Sequence, residues 1–483
     1  MPKLTDTYSI QQHTQFFVDG QWQKSTGSEI IDVINPYSEQ IIARVTSCSE
    51  EDISRAVQAA YQAYITWSQS SIETRVLLLR KIAKALKEQQ EELANTIASE
   101  LGMPLKATQK EQVDAPIATF ELTAQELEKF TWEERIGNSI ITREPTGVVV
   151  AITPWNYPLQ QIAAKVAPAI ASGCTVILKP SEVTPLNAIL LAKVFEIVNA
   201  PAGLFNLVFG RGPLVGEYLI TAPKVDLISF TGSTRAGKSI MAQAAGQIKR
   251  VKLELGGKSA SIILPGADLI KATKSSVNSC FLNSGQTCSA LTRLLVHEND
   301  YEAICELAVN QAKSFILGDP MVESTRLGPL VSKVQQERVR SYIKQGIEQG
   351  ASLLAGGATM PKGINQGFFV SPTILGDVNP EHTIAQEEIF GPVLAIIKYK
   401  DVDHAIEIAN STLYGLAGAV WGANLDEALN VAKKVRAGQV DINGGIVNML
   451  APFGGFKQSG FGRELGKFGI EEFLELKSYQ MPT

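Results

Sequence analysis

The residues of this chain that could do chemistry are a thiol, several carboxylates and a set of glycine-rich turns. The segment Phe281-Leu-Asn-Ser-Gly-Gln-Thr-Cys288 sets a cysteine behind a short polar turn. A free thiol with a pKa near 8.5 is only about 3% thiolate at pH 7. A nucleophilic Cys288 therefore needs a polar, partly exposed site with donors or a base close by. Cys280, inside the apparent helix before the turn, reads instead as core. Cys48, Cys174 and Cys305 are scattered, the total of five is odd and no C-x-x-C occurs, which argues against a disulfide framework and against zinc ribbons. His13, His297, His382 and His404 form no metal-ligand spacing, so no metal is expected.

Three segments offer partners for the thiol. Lys252-Leu-Glu-Leu-Gly-Gly-Lys258 ends an apolar run on Glu254 before a double-glycine turn. Thr153-Pro-Trp-Asn-Tyr-Pro158 follows a buried run, where the ligand-binding loops of α/β sheets lie. Leu178-Lys-Pro-Ser-Glu182 follows the next such run. Each also has a plain reading: Glu254 as an exposed turn carboxylate, Asn156 as a turn former, Lys179 and Glu182 as a solvated pair at a helix start.

Two turns suggest phosphate. Gly232-Ser-Thr-Arg-Ala-Gly-Lys-Ser239 satisfies the P-loop pattern and follows an apparent strand, so a nucleotide triphosphatase is one expectation. Such an enzyme also needs an acidic residue ending a later apolar strand to hold Mg²⁺, and Ser261–Leu264 ends in Pro265 and Gly266 instead. Gly210-Arg-Gly-Pro-Leu-Val-Gly216 is not the Rossmann fingerprint, because its third glycine arrives one residue late. Two such turns on one sheet, each at a helix N-terminus, favour an anionic cofactor over either alone.

The elements that must position these residues follow from periodicity. Ser49 and Asp52 form a capping box, and Ile53, Ala56, Val57 and Ala60 recur at helical spacing, so 49–66 reads as a helix. A longer helix is expected over 71–100, with Gly102 and Pro104 past its end. From 147, short apolar runs (Val148–Ile152, Thr175–Leu178, Asn206–Phe209, Asp226–Phe230) alternate with apparent helices at 158–171, 185–199 and 212–221. Strands alternating with helices imply a doubly wound parallel sheet. Alternation resumes after 257, which suggests a second α/β domain, while 123–145 and the segment after 459 fit neither, and Phe473–Met481 reads as an edge strand. A chain of 483 residues with 44 basic and 49 acidic side chains has no electrostatic footprint for nucleic acid. No run of 18 apolar residues occurs, and Met1–Asp6 lacks an apolar leader core, so a soluble protein of a reducing cytoplasm is expected.

Taken together, the segments resemble the aldehyde dehydrogenase superfamily. The matches, in family order, are Pro154-Trp-Asn-Tyr-Pro158, Lys179-Pro-Ser-Glu182, Phe230-Thr-Gly-Ser233, Glu254-Leu-Gly-Gly257, Gly285-Gln-Thr-Cys288, Glu388-Ile-Phe-Gly-Pro392 and Pro452-Phe-Gly-Gly455. The resemblance places the P-loop letters inside the family's Phe-Thr-Gly-Ser turn. It implies an α/β fold of three parts: a doubly wound cofactor-binding domain (1–122 and 146–256), an α/β catalytic domain (257–458) and a small β oligomerisation domain (123–145 and 459–483).

The same resemblance implies roles. Cys288 attacks an aldehyde, the Asn156 amide and the Cys288 N–H hold the oxyanion, and Glu254 activates water against the thioester. Relatives that pass the acyl group to coenzyme A typically lack this glutamate, so a free acid is expected. Lys165 and Glu464 match a proton relay. NAD is favoured over NADP, because a carboxylate at Glu182 accepts from the ribose 2′-OH and repels a 2′-phosphate, although Lys179 could tolerate one. Ile152, Trp155, Gly212, Gly216, Phe230, Gly232, Ser233, Leu255, Glu388 and Phe390 complete the cofactor site. Tyr157, Ala164, Thr287, Ser289, Val447 and Phe453 fall around the substrate tunnel. Ala164 stands where many relatives carry a bulky aromatic, and no Arg or Lys stands at these positions. A medium-chain or bulky apolar aldehyde is therefore expected, oxidised by a homodimer or tetramer. A non-catalytic protein of the same fold is disfavoured because Asn156, Glu254 and Cys288 are all present.

Overall fold

The structure, a computed structural model, describes residues 10–482; Met1–Asp6 and the outermost ends of the two terminal domain ranges lie outside the described residues. Val148–Ile152, Thr175–Lys179 and Leu227–Thr231 are strands in which every residue is buried. Unbroken apolar runs of this kind are what helices packed on both faces of a parallel sheet require. These strands and Arg250–Glu254 pair in parallel within an eight-stranded sheet. Its order is Gly460–Phe461, Arg250–Glu254, Leu227–Thr231, Val148–Ile152, Thr175–Lys179, Phe205–Leu207, Gln15–Val18, Gln21–Lys24. The first strand of the parallel set, Val148–Ile152, thus lies between the second, Thr175–Lys179, and the fourth, Leu227–Thr231. That reversal is a topological switch point, and the loops leaving the carboxyl ends of Val148–Ile152 and Leu227–Thr231 flank its crevice.

A second, seven-stranded sheet runs Ser352–Ala355, Thr373–Gly376, Val393–Tyr399, Arg293–His297, Ala260–Ile263, Ala417–Trp421, Gln439–Ile442. Alternate residues of its strands enter opposite cores: Leu294 and Val296 pack in one, Leu295 in the other. A third sheet is antiparallel, with Leu474–Gln480 paired along Ser139–Pro145, and Ser139–Pro145 paired with Glu133–Ile136. Among the described residues no helix is long and apolar enough to cross a membrane.

The structure departs from the periodicity in three places. The helix expected over 71–100 is two, Ile72–Glu88 and Gln90–Leu101, broken at Gln89 (φ −108°, ψ 14°). Leu86 and Leu93 are both fully buried, so the apolar spacing continues across a bend that tertiary packing imposes. The stretch 212–221 is a wide turn at Gly212–Gly216 followed by a short helix, Glu217–Thr221. The helix Ala115–Glu128 runs through residue 123, so the hairpin of the third sheet begins at Glu133.

Candidate active site

Cys288 is half-buried, whereas the other four cysteines are buried. The helix Leu269–Phe281 buries Cys280, then the chain turns through three left-handed residues, Asn283 (φ 51°), Ser284 (φ 55°) and Gly285 (φ 75°). A Cβ on Gly285 would lie 2.1 Å from the Gly391 carbonyl oxygen, so only glycine fits this turn. Non-glycine residues held at positive φ store strain that surrounding contacts must hold in place. Here Ser284 donates to the Gly328 carbonyl (2.8 Å), and Gln286 accepts from the Val331 N–H (2.9 Å). The thiol is pushed up to about 12 by burial and by the negative charges of Glu388 and Glu254, against the backbone N–H groups of Ser289 and Cys288. Its ionisation needs a base or an added positive charge.

Asn156, on the loop after Val148–Ile152, is buried and fixed at both ends. Its Nδ2 donates to the Gln286 carbonyl (3.0 Å), and its own carbonyl accepts from Gln112 Nε2 (3.1 Å) and Asn283 Nδ2 (2.8 Å). An amide nitrogen carries two hydrogens. One is spent on the Gln286 carbonyl, two residues before Cys288, and no protein acceptor takes the other. Asn156 and Cys288 line one cleft of about 210 Å³ together with Trp155, Gly232, Ser233, Leu255, Gly256, Glu388 and Phe390.

Glu254 ends its strand 2% exposed, and neither carboxylate oxygen meets a protein donor. Burial and the charge of Glu464 push it well above the usual carboxylate range, against Lys252, Lys165 and Arg463. Beside it, Lys165 Nζ, from the helix Pro158–Ser172, donates to Glu464 Oε1 (2.6 Å) and to Thr231 Oγ1 (2.6 Å). Burial opposes ionisation of Glu464, but Lys165 and Lys252 outweigh it and hold that carboxyl below its usual range.

The residues expected to hold a dinucleotide lie partly in this cleft and partly on neighbouring turns. Lys179 Nζ donates to the carbonyls of Pro180 (3.0 Å) and Gly210 (2.8 Å) and lies 3.7 Å from Glu182. Neither Gly212 nor Gly216 has a protein atom within 4 Å of where a Cβ would stand, so the turn presents bare backbone with open space before it. Phe230 and Leu255 pack beneath the crevice: a Cβ on Gly232 would meet the Phe230 ring, and one on Gly237 the Leu255 side chain. Ser233 caps the helix Thr234–Ala245, accepting from the Ala236 N–H. Ile152 ends the strand Val148–Ile152, three residues before Trp155. Phe390 (φ 63°) stands edge-on to Trp155, ring centroids 5.3 Å apart, with its carbonyl held by Gln335 Nε2 (2.7 Å). Glu388 accepts from the Gly257 N–H (3.1 Å), and burial pushes it up to about 7.

Of the expected tunnel residues, Tyr157 and Thr287 meet through their hydroxyls at 2.8 Å, with Ser289 two residues beyond Thr287. Val447 and Phe453 share a separate hollow with Asp441, Pro452 and Leu465. Ala164 is buried on the helix that carries Lys165.

Lys238 and Ser239, the signature pair of the P-loop pattern, are exposed inside the helix that begins at Thr234. The letters therefore form helix rather than a phosphate-cradling loop, and the triphosphatase reading is not favoured. Among the described residues no cluster of His, Cys, Asp and Glu could hold a metal. Gln112, Gln335 and Lys252 stand beside these residues and were given no role from the sequence, while Gly454 was marked only as part of Pro452-Phe-Gly-Gly455. Gln112 reaches Asn156 from a single wide turn at Gln109–Asp114, in a segment with no motif to mark it.

The model of the aldehyde dehydrogenase family matches residues 22–479. A 3-succinoylsemialdehyde-pyridine dehydrogenase from Pseudomonas sp. is 47% identical over 97% of this chain and 98% of its own. The crystal structure of aldehyde dehydrogenase C from Pseudomonas syringae, a cysteine-to-alanine mutant with NAD+ and octanal, superposes with a TM-score of 0.96. It is 44% identical and covers 98% of this chain and 97% of its own. A Bacillus cereus aldehyde dehydrogenase in complex with NAD+ is 40% identical over 97% of this chain and 96% of its own, at a TM-score of 0.93.

Proposed function

The chain belongs to the aldehyde dehydrogenase family, and on that premise we propose that it oxidises a medium-chain or bulky apolar aldehyde to the free carboxylic acid through a thioester on Cys288. It is an aldehyde-oxidising enzyme that uses a nicotinamide dinucleotide. The observation that carries the finer reading is Glu254, a buried carboxylate whose two oxygens meet no protein donor, within electrostatic reach of the Cys288 thiol.

Cys288 adds to the aldehyde carbon, and the oxyanion is received by the free hydrogen of the Asn156 amide and by the Cys288 N–H. Losing one such donor typically costs about 2.7–4 kcal/mol of barrier. When bound, the oxidised nicotinamide supplies the hydride acceptor and a positive charge beside the thiol. Trp155, Ile152, Phe230, Gly232, Ser233, Leu255, Glu388 and Phe390 hold that cofactor at the switch point, and Gly212 and Gly216 leave room for it. Glu254 then takes a proton from water as the water attacks the thioester and the Cys288 sulfur leaves, a role its raised proton affinity suits. Lys165 and Glu464 pass that proton onward. For NAD over NADP, the support is that the donors of Lys179 already serve two carbonyls and Glu182, which leaves little for a 2′-phosphate.

The lack of an Arg or Lys among Tyr157, Ala164, Thr287, Ser289, Val447 and Phe453 supports the substrate class. So does the octanal bound by the Pseudomonas syringae relative. The three-part domain division and a homo-oligomer belong to the same proposal. Glu133–Ile136 is an exposed edge strand, and Ile136, Leu476 and Tyr479 offer apolar surface on its sheet. Light scattering giving a monomer would refute the assembly.

The reading is tested by following reduced cofactor with NAD+ and an aldehyde panel. Cys288→Ala should abolish turnover while leaving NAD+ binding intact. Glu254→Gln should give one burst per site and then stall. Better kcat/KM for a short semialdehyde or betaine aldehyde than for hexanal would overturn the substrate assignment.

A further inference from the structure

Lys252 is buried to 2% on the strand that ends in Glu254. Residues two apart on a strand share a face, so its side chain stands on the same side as the Glu254 carboxylate. Its Nζ makes no hydrogen bond to the protein, lies 3.7 Å from Glu464 Oε1, and sits 5.2 Å from the centroid of the Phe473 ring. A buried ammonium without a bonded partner is costly, and buried charges persist where opposite charges compensate them. Without Lys252, the buried cluster of Lys165, Glu464 and an ionised Glu254 would hold one uncompensated negative charge; with it, the four groups balance. We propose that Lys252 is a positioning residue for the catalytic base, whose charge sets the pH at which Glu254 gives up its proton.

The inference rests on the reading of Glu254 as the base that activates water. The charged and titratable groups facing Glu254 are Lys252 on its own strand, Lys165 on the helix opposite, Arg463 and Glu464 on the C-terminal segment, and Cys288. Glu472 faces Lys252 from behind. Lys165 is bonded to Glu464 and Thr231, and Arg463 donates to the Gly455 and Gly462 carbonyls, so Lys252 is the one of these three cations that no hydrogen bond ties elsewhere. A charge about 6–7 Å away along the strand, at an effective dielectric of about 20, moves a carboxylate by about one to two pH units.

The test is the pH profile of kcat with octanal and the burst of reduced cofactor, for wild type, Lys252→Met, Lys252→Gln, Lys252→Arg and Glu254→Gln. The two neutral variants should keep a burst stoichiometric with sites and move the rising limb of kcat upward by about one to two pH units. Lys252→Arg, which keeps the charge, should return the limb to within about half a unit of wild type. A loss of stability alone would lower Tm without moving the limb. An unmoved limb in either folded neutral variant, with Glu254→Gln stalled after its burst, overturns the proposal and leaves the base assignment standing. Full turnover by Glu254→Gln would sink the base assignment itself. If neither neutral variant folds, a Lys252→Arg profile unlike wild type overturns the proposal.

Discussion

Gly454→Ala tests the position of Glu254, the proposed base, without touching its chemistry. Gly454 has φ +155°, and a Cβ there would lie 2.6 Å from the Gly462 carbonyl oxygen, 2.7 Å from Glu254 Oε1 and 3.0 Å from Arg463 Nη1. The Gly462 carbonyl is backbone and yields little, so the carboxylate must move. Restoring an ordinary contact of about 3.4 Å displaces Glu254 Oε1 by about 0.7 Å. Misplacing a reacting group by about 1 Å can cost about 100-fold, so hydrolysis should slow by roughly ten- to a hundred-fold. Overpacking should also cost about 1–3 kcal/mol of stability. Acyl-enzyme formation is assigned to Cys288 and Asn156, neither of which is among the three atoms nearest the added methyl. Stopped-flow absorbance should therefore show a burst stoichiometric with sites, followed by a slow steady state. Steady-state kcat within two-fold of wild type in a folded variant would rule out a displaced carboxylate, as would a lost burst with unchanged hydrolysis of a preformed thioester.

Glu464→Gln leaves two buried lysines short of a counter-charge and should cost about 3–5 kcal/mol in denaturant titration at neutral pH. Because the folded Glu464 is held below its usual range, its contribution is complete above about pH 4.3 and is lost as pH falls through the depressed folded value, so the acid limb of stability should flatten in the variant; an identical limb would contradict this. Glu182→Gln should raise the NADP+ to NAD+ ratio of kcat/KM by roughly five- to thirty-fold, since it removes a repulsion worth about 1–2 kcal/mol, and an unchanged ratio would show that Glu182 does not face the ribose. Ala164→Phe should lower kcat/KM for octanal at least about ten-fold relative to acetaldehyde, because each methylene a pocket admits or refuses is worth about 1–3 kcal/mol. Equal losses for both aldehydes would place Ala164 away from the tunnel.

The parallel core was legible because its signal is local. The strand expected at Val148–Ile152 is found with those bounds, and those expected at Thr175–Leu178 and Asp226–Phe230 are found within one residue, since an all-apolar run bounded by turn residues has few other uses. The bend at Gln89 was not legible. No glycine or proline marks it, and Leu86 and Leu93 keep helical spacing on both sides, so only the packing of the two helices against the core reveals it. The wide turn at Gly212–Gly216 escaped for the opposite reason: its glycines read equally well as loop or as a helix start.

Site residues divide along the same line, by whether their function is set within a few positions or across the fold. Motifs of four or five residues marked Cys288, Glu254 and Asn156, because a turn shape and a reactive group must coincide there. Their environment was not marked. Gln112 meets Asn156 across 44 residues, and Lys165 meets Glu464 across 299. The requirement that joins the cluster is electrostatic rather than sequential. A base that must regain its proton affinity at each turnover has to be buried enough to hold a proton and compensated enough to release it. Burial of Glu254 supplies the first condition, and cations drawn from a helix and a strand supply the second. A sequence window sees one lysine at a time, whereas the balance of two lysines against two glutamates exists only once the C-terminal segment has folded back beside the strand Arg250–Glu254.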